Sequence, residues 1–471
     1  MIWAALALAL VLRVINLNQS LWLDEAISAL AVRDYSYSQI ISAFIIGDTH
    51  PPLYYFILKA WSGAFGYWEP TLRVLSVIFG VLTVYVVYLI AKKIGGKKLG
   101  IVSSFLLATA PLHIYYSQEV RMYSLSALAV SLAVFLFIRL LDKNPNRKDW
   151  ILFSLSLILI GLTDYLPLLI LPVFWVYSLL RRKEATWWKK FLFSHIPLLT
   201  FLAFWYPVFY KQSLGAKAAL PLFPGWAKLL GEANFKELAL VWMKFVLGRI
   251  SFVSRKLNFL IIAIVSAPFI YSLFRAFKVA KKHLLLWLWF VLPIALAFLG
   301  AIFVPGFSYF RFIFVLPAFY FLIAVGLSKT KYKEALTLLL ILANLVFSTI
   351  YITNPKFVRE DWRAAVGYLE EKIRDGEVIL MAFPEPFAAF RWYWKKENVA
   401  FGLETELGKK VEEQTVQKLV KGKAGVYTLD YLMDLTDPER ITSKTLSDAG
   451  FKEVDIVDFR GVGQIRYWLK R

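Results

Sequence analysis

Eleven apolar runs, most of them about 17–20 residues long and divided by short basic clusters, leave this chain few folds to choose from. A helix of that length matches the hydrocarbon core of a bilayer, and lipid offers the backbone no hydrogen bonds. Helices meet that demand internally. The expected spans lie near 1–17, 72–91, 99–114, 122–141, 150–163, 165–180, 191–209, 257–274, 284–303, 312–328 and 335–352. With 59% hydrophobic residues and a mean hydropathy of +0.58, the chain is no ordinary soluble globule. No small-residue cleavage site follows residues 1–17 and further spans do, so they read as a first transmembrane helix rather than a signal peptide.

The clusters "KKIGGKK" (92–98), "RLLDKNPNRK" (139–148), "RRKEATWWKK" (181–190), "RAFKVAKK" (275–282) and "KTKYK" (329–333) belong on the cytoplasmic side by the positive-inside rule. The N-terminus is then inside and the segment after the last span outside. Residues 355–471 hold 20 basic against 20 acidic residues, so the net charge of +21 resides in residues 1–354. That distribution excludes a basic nucleic-acid-binding tail and suits cytoplasmic loops, membrane lipids and anionic groups. The absence of cysteine excludes disulfides and thiolate chemistry.

Three pieces fall outside: a first loop of about 18–71, the turn 111–124, and an amphipathic stretch of about 210–256. "HPPLYYFILKAWSGAFG" (50–66) resembles a span but carries Lys59 in mid-run and would break the count, so it reads as a helix at the outer interface. Its Pro pair suits a first helical turn. Residues 355–471 alternate helical and strand patterns: helix "DWRAAVGYLEEKI", strand "GEVILMAF", helix "PEPFAAFRWYWKK", strand "NVAFGL", a charged helix of about 405–421, strand "GVYTL", helix "RITSKTLSDAG" and strands near 451–458 and 463–469, which predicts a small extracytoplasmic α/β domain. It lacks a Gly-rich phosphate loop and clustered acids, and reads as a lid or recognition module. Residues 1–354 form the transmembrane domain that carries the chemistry.

Acids near a membrane are costly to desolvate and tend to have a function or a partner. Asp24, Glu25, Asp34, Asp48, Glu69, Glu119, Asp164, Glu232 and Glu237 all fall on the outer side. In "LWLDEAI" (21–27), Asp24 and Glu25 read either as a general base with its neighbour or as a helix cap with a flanking charge. In "YYSQEVRMY" (115–123), Glu119 and Arg121 are a polar pair at the mouth of a span or a local salt bridge. In "GFSYFRFIFVLP" (306–317), Tyr309 and Arg311 open a late span, and Arg311 can grip a phosphate or snorkel to headgroups. His50 follows Asp48 by two residues in "DTHPPLYYFIL" (48–58). The four histidines, at 50, 113, 195 and 283, lack metal-ligand spacing. Carboxylates such as Asp24 and Glu119 could hold a divalent metal, and no other cofactor is indicated. No Ser-His-Asp signature or Walker loop occurs.

In order, the "DE" pair after the first span, "THPPLYY", "EPTLRVLSVIFG" (69–80), "YYSQEVRMYSL", "YFRFIFVLP" and "REDWRAAVGYLEEK" (359–372) resemble the GT-C glycosyltransferases. The resemblance is to the branch of protein O-mannosyltransferases and lipid A aminoarabinose transferases, and it covers the membrane part and the start of the soluble domain. It implies a polytopic α-helical GT-C fold of about 11 transmembrane helices with a C-terminal extracytoplasmic α/β domain, multi-pass in the plasma membrane. It implies inverting transfer of a sugar, mannosyl or pentosyl among the candidates, from a polyprenyl-phosphate carrier to a hydroxyl on a protein, lipid or glycan. Asp24 matches the family's base and Glu25 its neighbour. His50 and the prolines, with Asp48 and Lys59 beside them, match the element near the donor phosphate. Glu119 and Arg121 match a second polar cluster. Arg311, next to Tyr309, matches a contact to the lipid phosphate. Relatives often carry histidine in a "THY"-like turn where this chain has "TDY", which leaves the role of Asp164 open. The competing class is a transporter or lipid flippase, which usually shows related halves or paired broken helices; no such repeat is visible here.

Overall fold

The computed structural model describes residues 1–471 apart from 182–183, 223–229, 252–253, 398, 404–410 and 471. The chain divides into two compact units. One comprises residues 1–17, 37–212 and 230–357, the other 18–36, 213–229 and 358–471. This division departs from one drawn at residue 354, because a stretch of the first loop clusters with the C-terminal domain.

The first unit is a helical bundle, and each of the eleven expected spans falls on helical backbone, though 99–114 and 165–180 are each made of two pieces. Among the described residues, six helices are long and apolar enough to cross a membrane: Glu69–Gly95, Tyr123–Leu140, Ala185–Ala218, Lys256–Phe277, Ala280–Gly300 and Lys333–Thr353. Ile2–Val14, Leu166–Leu180 and Leu316–Leu327 are shorter apolar helices. Tyr123–Leu140 and Leu316–Leu327 are apolar on nearly every face and are buried nearly throughout, as a central helix must be. Outer helices keep apolar side chains exposed, Leu192, Phe193, Ile196 and Leu199 among them, which suits contact with lipid.

Two local features depart from simple spans. The run expected at 99–114 is broken into Lys97–Ala108 and Pro111–Ser117, bent by 65°. Pro111 has no N–H to donate and forces Ala110 into an extended conformation, so the helix cannot continue. The Pro pair at 51–52 opens the helix Leu53–Phe65. At 13 residues it reaches about 20 Å, short of a bilayer core, as an interfacial helix should. At the expected spans 150–163 and 165–180, Arg147–Thr163 ends where Asp164 turns extended, and Leu166–Leu169 and Ile170–Leu180 lead back.

The second unit carries a five-stranded sheet in the order β2-β1-β3-β5-β4. The strands are β1 (Glu377–Met381), β2 (Ala400–Gly402), β3 (Gly425–Leu429), β4 (Phe451–Phe459) and β5 (Gly463–Lys470). β1 pairs in parallel with β2 and β3, whereas β5 is antiparallel to β3 and β4. Helices Trp362–Lys372, Ala388–Tyr393, Glu413–Val420 and Ile441–Asp448 fall where the pattern predicts. The charged helix expected over 405–421 and the strand "NVAFGL" lie partly outside the described residues. Val378, Leu380, Val416, Val426, Leu446 and Trp468 form the core beneath the sheet. The helix Leu23–Asp34 belongs to this unit.

Candidate active site

In the membrane unit, the "DTHPP" segment folds as a tight polar corner. Thr49 takes a left-handed conformation (φ 63°) and ends the short helix Ile45–Asp48, so Asp48 and His50 face each other. His50 Nδ1 lies 2.9 Å from Asp48 Oδ2 and 2.7 Å from the Asp48 carbonyl. Arg121 donates to Asp48 Oδ1 at 3.0 Å and to the Tyr55 hydroxyl at 3.2 Å, and Tyr55 donates to Asp48. The Asp48 side chain is only 7% exposed and that of Arg121 only 5%. Burial alone would raise the Asp48 pKa. Arg121 and His50 outweigh it and hold the carboxyl well below the usual range. The structure thus sets Arg121 on Asp48. Gln212 donates to the carbonyls of Ile45 and His50, and accepts from Tyr165 at 2.6 Å, which ties the "TDY" turn to this corner. Asp164 itself is buried at the end of its helix, and among the described residues no hydrogen bond or ion pair uses its carboxylate.

A second cluster of the same unit is richer in cations. Arg249, just past the helix Phe235–Leu247, donates to the Tyr115 hydroxyl at 2.7 Å and stacks on that ring. Burial works against its charge, but Tyr115, Tyr116, Tyr309 and Glu119 face it and keep it firmly protonated. Lys244 lies 5.7 Å from the ring centre of Tyr309, and burial together with Arg249 pushes its pKa down to about 8. Tyr309 and Arg311 share the one-turn helix Tyr309–Phe312. The Arg311 guanidinium lies over Phe310, and its buried Nε has no hydrogen-bond partner among the described residues. Lys59 lies near the Tyr37 ring. Glu119 is 1% exposed, within the field of Arg249.

The third cluster lies in the other unit. Asp24 and Glu25 occupy the first turn of Leu23–Asp34, and the capping position is Trp22, so neither acid is the helix cap. Their roles diverge by one residue of helical rotation. Glu25 is fully buried and ion-paired with Arg359 at 3.5 Å. Asp24 is half-buried beside Glu360. Glu360 accepts from Trp362 Nε1 at 2.7 Å and from the Tyr431 hydroxyl at 3.1 Å, and also from the backbone N–H of Leu23. Burial pushes the Glu360 pKa up to about 7; the indole and phenol hold it back, and Asp24 adds to the rise.

Sequence reasoning missed Glu360, Tyr431 and Lys244, and did not single out Arg249 from the other outer basic residues. "REDW" was the one local signal for Glu360. Nothing in the spacing tells that its carboxylate meets the helix of Asp24. Among the described residues no three His, Asp or Glu side chains gather as a metal site.

Residues 49–210 match the family model of dolichyl-phosphate-mannose-protein mannosyltransferases. The structure is similar to that of ArnT from Cupriavidus metallidurans in the apo state, at 12% identity and TM-score 0.62, over 99% of this chain and 96% of that one. It is similar to the same protein bound to undecaprenyl phosphate, at 13% identity and TM-score 0.60, over 99% and 97%. The apo oligosaccharyltransferase of Archaeoglobus fulgidus is also similar, at 12% identity and TM-score 0.50, over 91% of this chain and 69% of that one. No curated protein sequence matches the chain. At these identities the structural likeness is one of fold.

Proposed function

We propose that this chain, whose fold is that of ArnT and whose residues 49–210 match a mannosyltransferase family model, is a GT-C glycosyltransferase that moves a sugar from a polyprenyl-phosphate carrier to an acceptor hydroxyl, with inversion, at the extracytoplasmic membrane face. The observation that carries this reading is the cation cluster: Lys244 and Arg249 flank Tyr309, and Arg311 stands on the same turn without an ion-pair partner among the described residues. A bundle of apolar helices that buries Lys244 and Arg249 about one tyrosine ring, with Arg311 on the same turn as that tyrosine, has a use for an anion. A lipid-linked phosphate brings both an apolar tail and that charge. ArnT from Cupriavidus metallidurans, which shares the fold, binds undecaprenyl phosphate, and this supports the same class of carrier here.

The chemistry needs little more. An acceptor hydroxyl is a weak nucleophile at neutral pH and needs a base, the role we give Asp24. Glu25, closed in its ion pair, holds the helix turn that presents Asp24. As the glycosidic C–O bond breaks, charge develops on the leaving phosphate, and guanidinium groups at Arg249 and Arg311 stabilise it without delivering a proton. Asp48, His50 and Arg121 form a rigid polar corner next to the interfacial helix, suited to hold the donor headgroup where its tail enters lipid. Glu119 keeps Arg249 oriented. Lys59 and Asp164 line the same donor region in this reading. The sugar is a mannose or a pentose-type residue, and the acceptor a protein, lipid or glycan.

The test is a panel of radiolabelled polyprenyl-phosphate sugars, each offered to the purified protein and to Asp24→Asn. Turnover of one donor by the wild type, absent in the variant, is expected. Equal turnover by both proteins removes Asp24 as the base. Vesicle-to-vesicle movement of an intact donor, without release of sugar, would replace transfer with transport.

A further inference from the structure

Arg13 is 0% exposed inside the bundle, and among the described residues no acid pairs with it. A buried cation without a counter-ion is expensive unless other groups solvate it. Its partners explain the arrangement. Nη1 donates to the carbonyls of Ala9 and Ala108, both at 2.9 Å, and Nη2 to that of Leu107 at 3.4 Å. Nε donates to Ser117 Oγ at 3.2 Å, and Nη2 meets His113 Nδ1 at 2.7 Å. His113 must accept there, so its ring is neutral with the proton on Nε2.

These contacts converge on the break between Lys97–Ala108 and Pro111–Ser117. A helix that stops leaves its last carbonyls short of backbone donors: Pro111 cannot donate to Leu107, whose carbonyl keeps a 3.3 Å bond from the Ala110 N–H. Side chains from two other helices take over. Asn344 donates to the Leu106 carbonyl at 3.2 Å, Arg13 to Leu107 and Ala108, and Ser348 to Thr109 at 3.2 Å. Gln118 then fastens the far end of the short helix, donating to the carbonyls of Arg13 and Ile15 at 3.1 and 2.7 Å. Gly80 leaves room for this: a Cβ there would lie 2.2 Å from Ser117 Oγ and 3.2 Å from Arg13 Nε.

The broken segment presents Tyr115 to Arg249 and leads directly to Glu119 and Arg121. We infer that Arg13 is a positioning residue: its guanidinium, standing in for backbone donors, fixes the helix break and so sets the geometry of both polar clusters in the membrane unit. The catalytic consequence rests on the glycosyl-transfer reading above; the structural one does not.

The experiment compares wild type, Arg13→Met, Arg13→Lys and Gly80→Ala as full chains in nanodiscs, by hydrogen–deuterium exchange and by steady-state kinetics with a polyprenyl-phosphate sugar. In Arg13→Met, exchange of the amides at 112–122 should rise about tenfold while the rest of the bundle keeps its protection. Donor KM should rise about tenfold with acceptor KM within about twofold, and Arg13→Lys should recover part of both. Unchanged exchange at 112–122, or a rise spread evenly over the bundle, overturns the proposal. If Arg13→Met does not fold, Gly80→Ala displaces Ser117 while keeping the guanidinium and decides by the same exchange pattern. If the wild type turns over no donor, the transfer reading fails and the exchange pattern still judges the clasp.

Discussion

Asp48 in the membrane unit and Glu360 in the other unit are both withdrawn from water, yet their protons are held in opposite ways. Burial raises the pKa of each. Asp48 faces Arg121 and His50 and ends well below the usual carboxylate range. Glu360 faces an indole, a phenol and a backbone N–H, all neutral, with Asp24 adding negative charge, and ends at about 7. Neutral donors soften desolvation, whereas a cation at contact distance reverses it. The Asp48 corner thus keeps a fixed charge, whereas Glu360 can exchange its proton near neutral pH.

The comparison breaks most visibly at Asp24. If proton work belongs to the unit that holds Glu360, Asp24→Asn should lower transfer by roughly 10²–10⁴-fold while carrier binding, followed by a fluorescent polyprenyl phosphate, stays near wild type. Loss of binding instead would move Asp24 to donor recognition. Next comes the ion pair. Arg121→Met leaves Asp48 buried without its cation and should cost about 3 kcal/mol, read as a fall in melting temperature. Adding Asp48→Asn should restore much of that stability. Additive losses in the double variant would mean that the two side chains do not depend on each other.

A smaller effect is expected at Arg311, where Ala should raise donor KM about tenfold with little change in acceptor KM, as for one lost charge-assisted contact. An unaltered donor KM would assign Arg311 to lipid headgroups. The smallest is Glu360→Gln. The folded pKa of Glu360 lies above its unfolded value of about 4.5. The folded state therefore binds more protons between those values, and stability falls as pH rises from about 4.5 through about 7. Gln cannot titrate, so denaturation midpoints across pH 5–8 should flatten. A slope equal to wild type would show that Glu360 does not titrate there.

Much of the architecture was legible in the chain itself. Apolar run length placed helical backbone at every expected span, one of them broken at Pro111, and strand patterning placed all of β1 to β5. The Pro pair at 51–52 marked the start of the helix Leu53–Phe65. Pro111 was equally visible, but a single proline predicts a kink without saying whether the span survives it. The acids were harder. Asp24 and Glu25 are neighbours in sequence and looked equivalent as cap or base. Trp22 starts the helix, and rotation by one residue buries Glu25 against Arg359 while Asp24 stays half-buried.

By itself the sequence determined the helical membrane bundle, the small α/β sheet and the kind of polar residues available, because hydrophobic length and periodicity are local properties that lipid and water read directly. Which acid is paired, which holds its proton and which cation is left for an anion were decided only by tertiary structure. Those properties depend on burial and on charges a few ångströms away in space. Here the partners, Glu25 with Arg359, Asp48 with Arg121, and Arg13 with the break after Ala108, are brought together from distant parts of the chain.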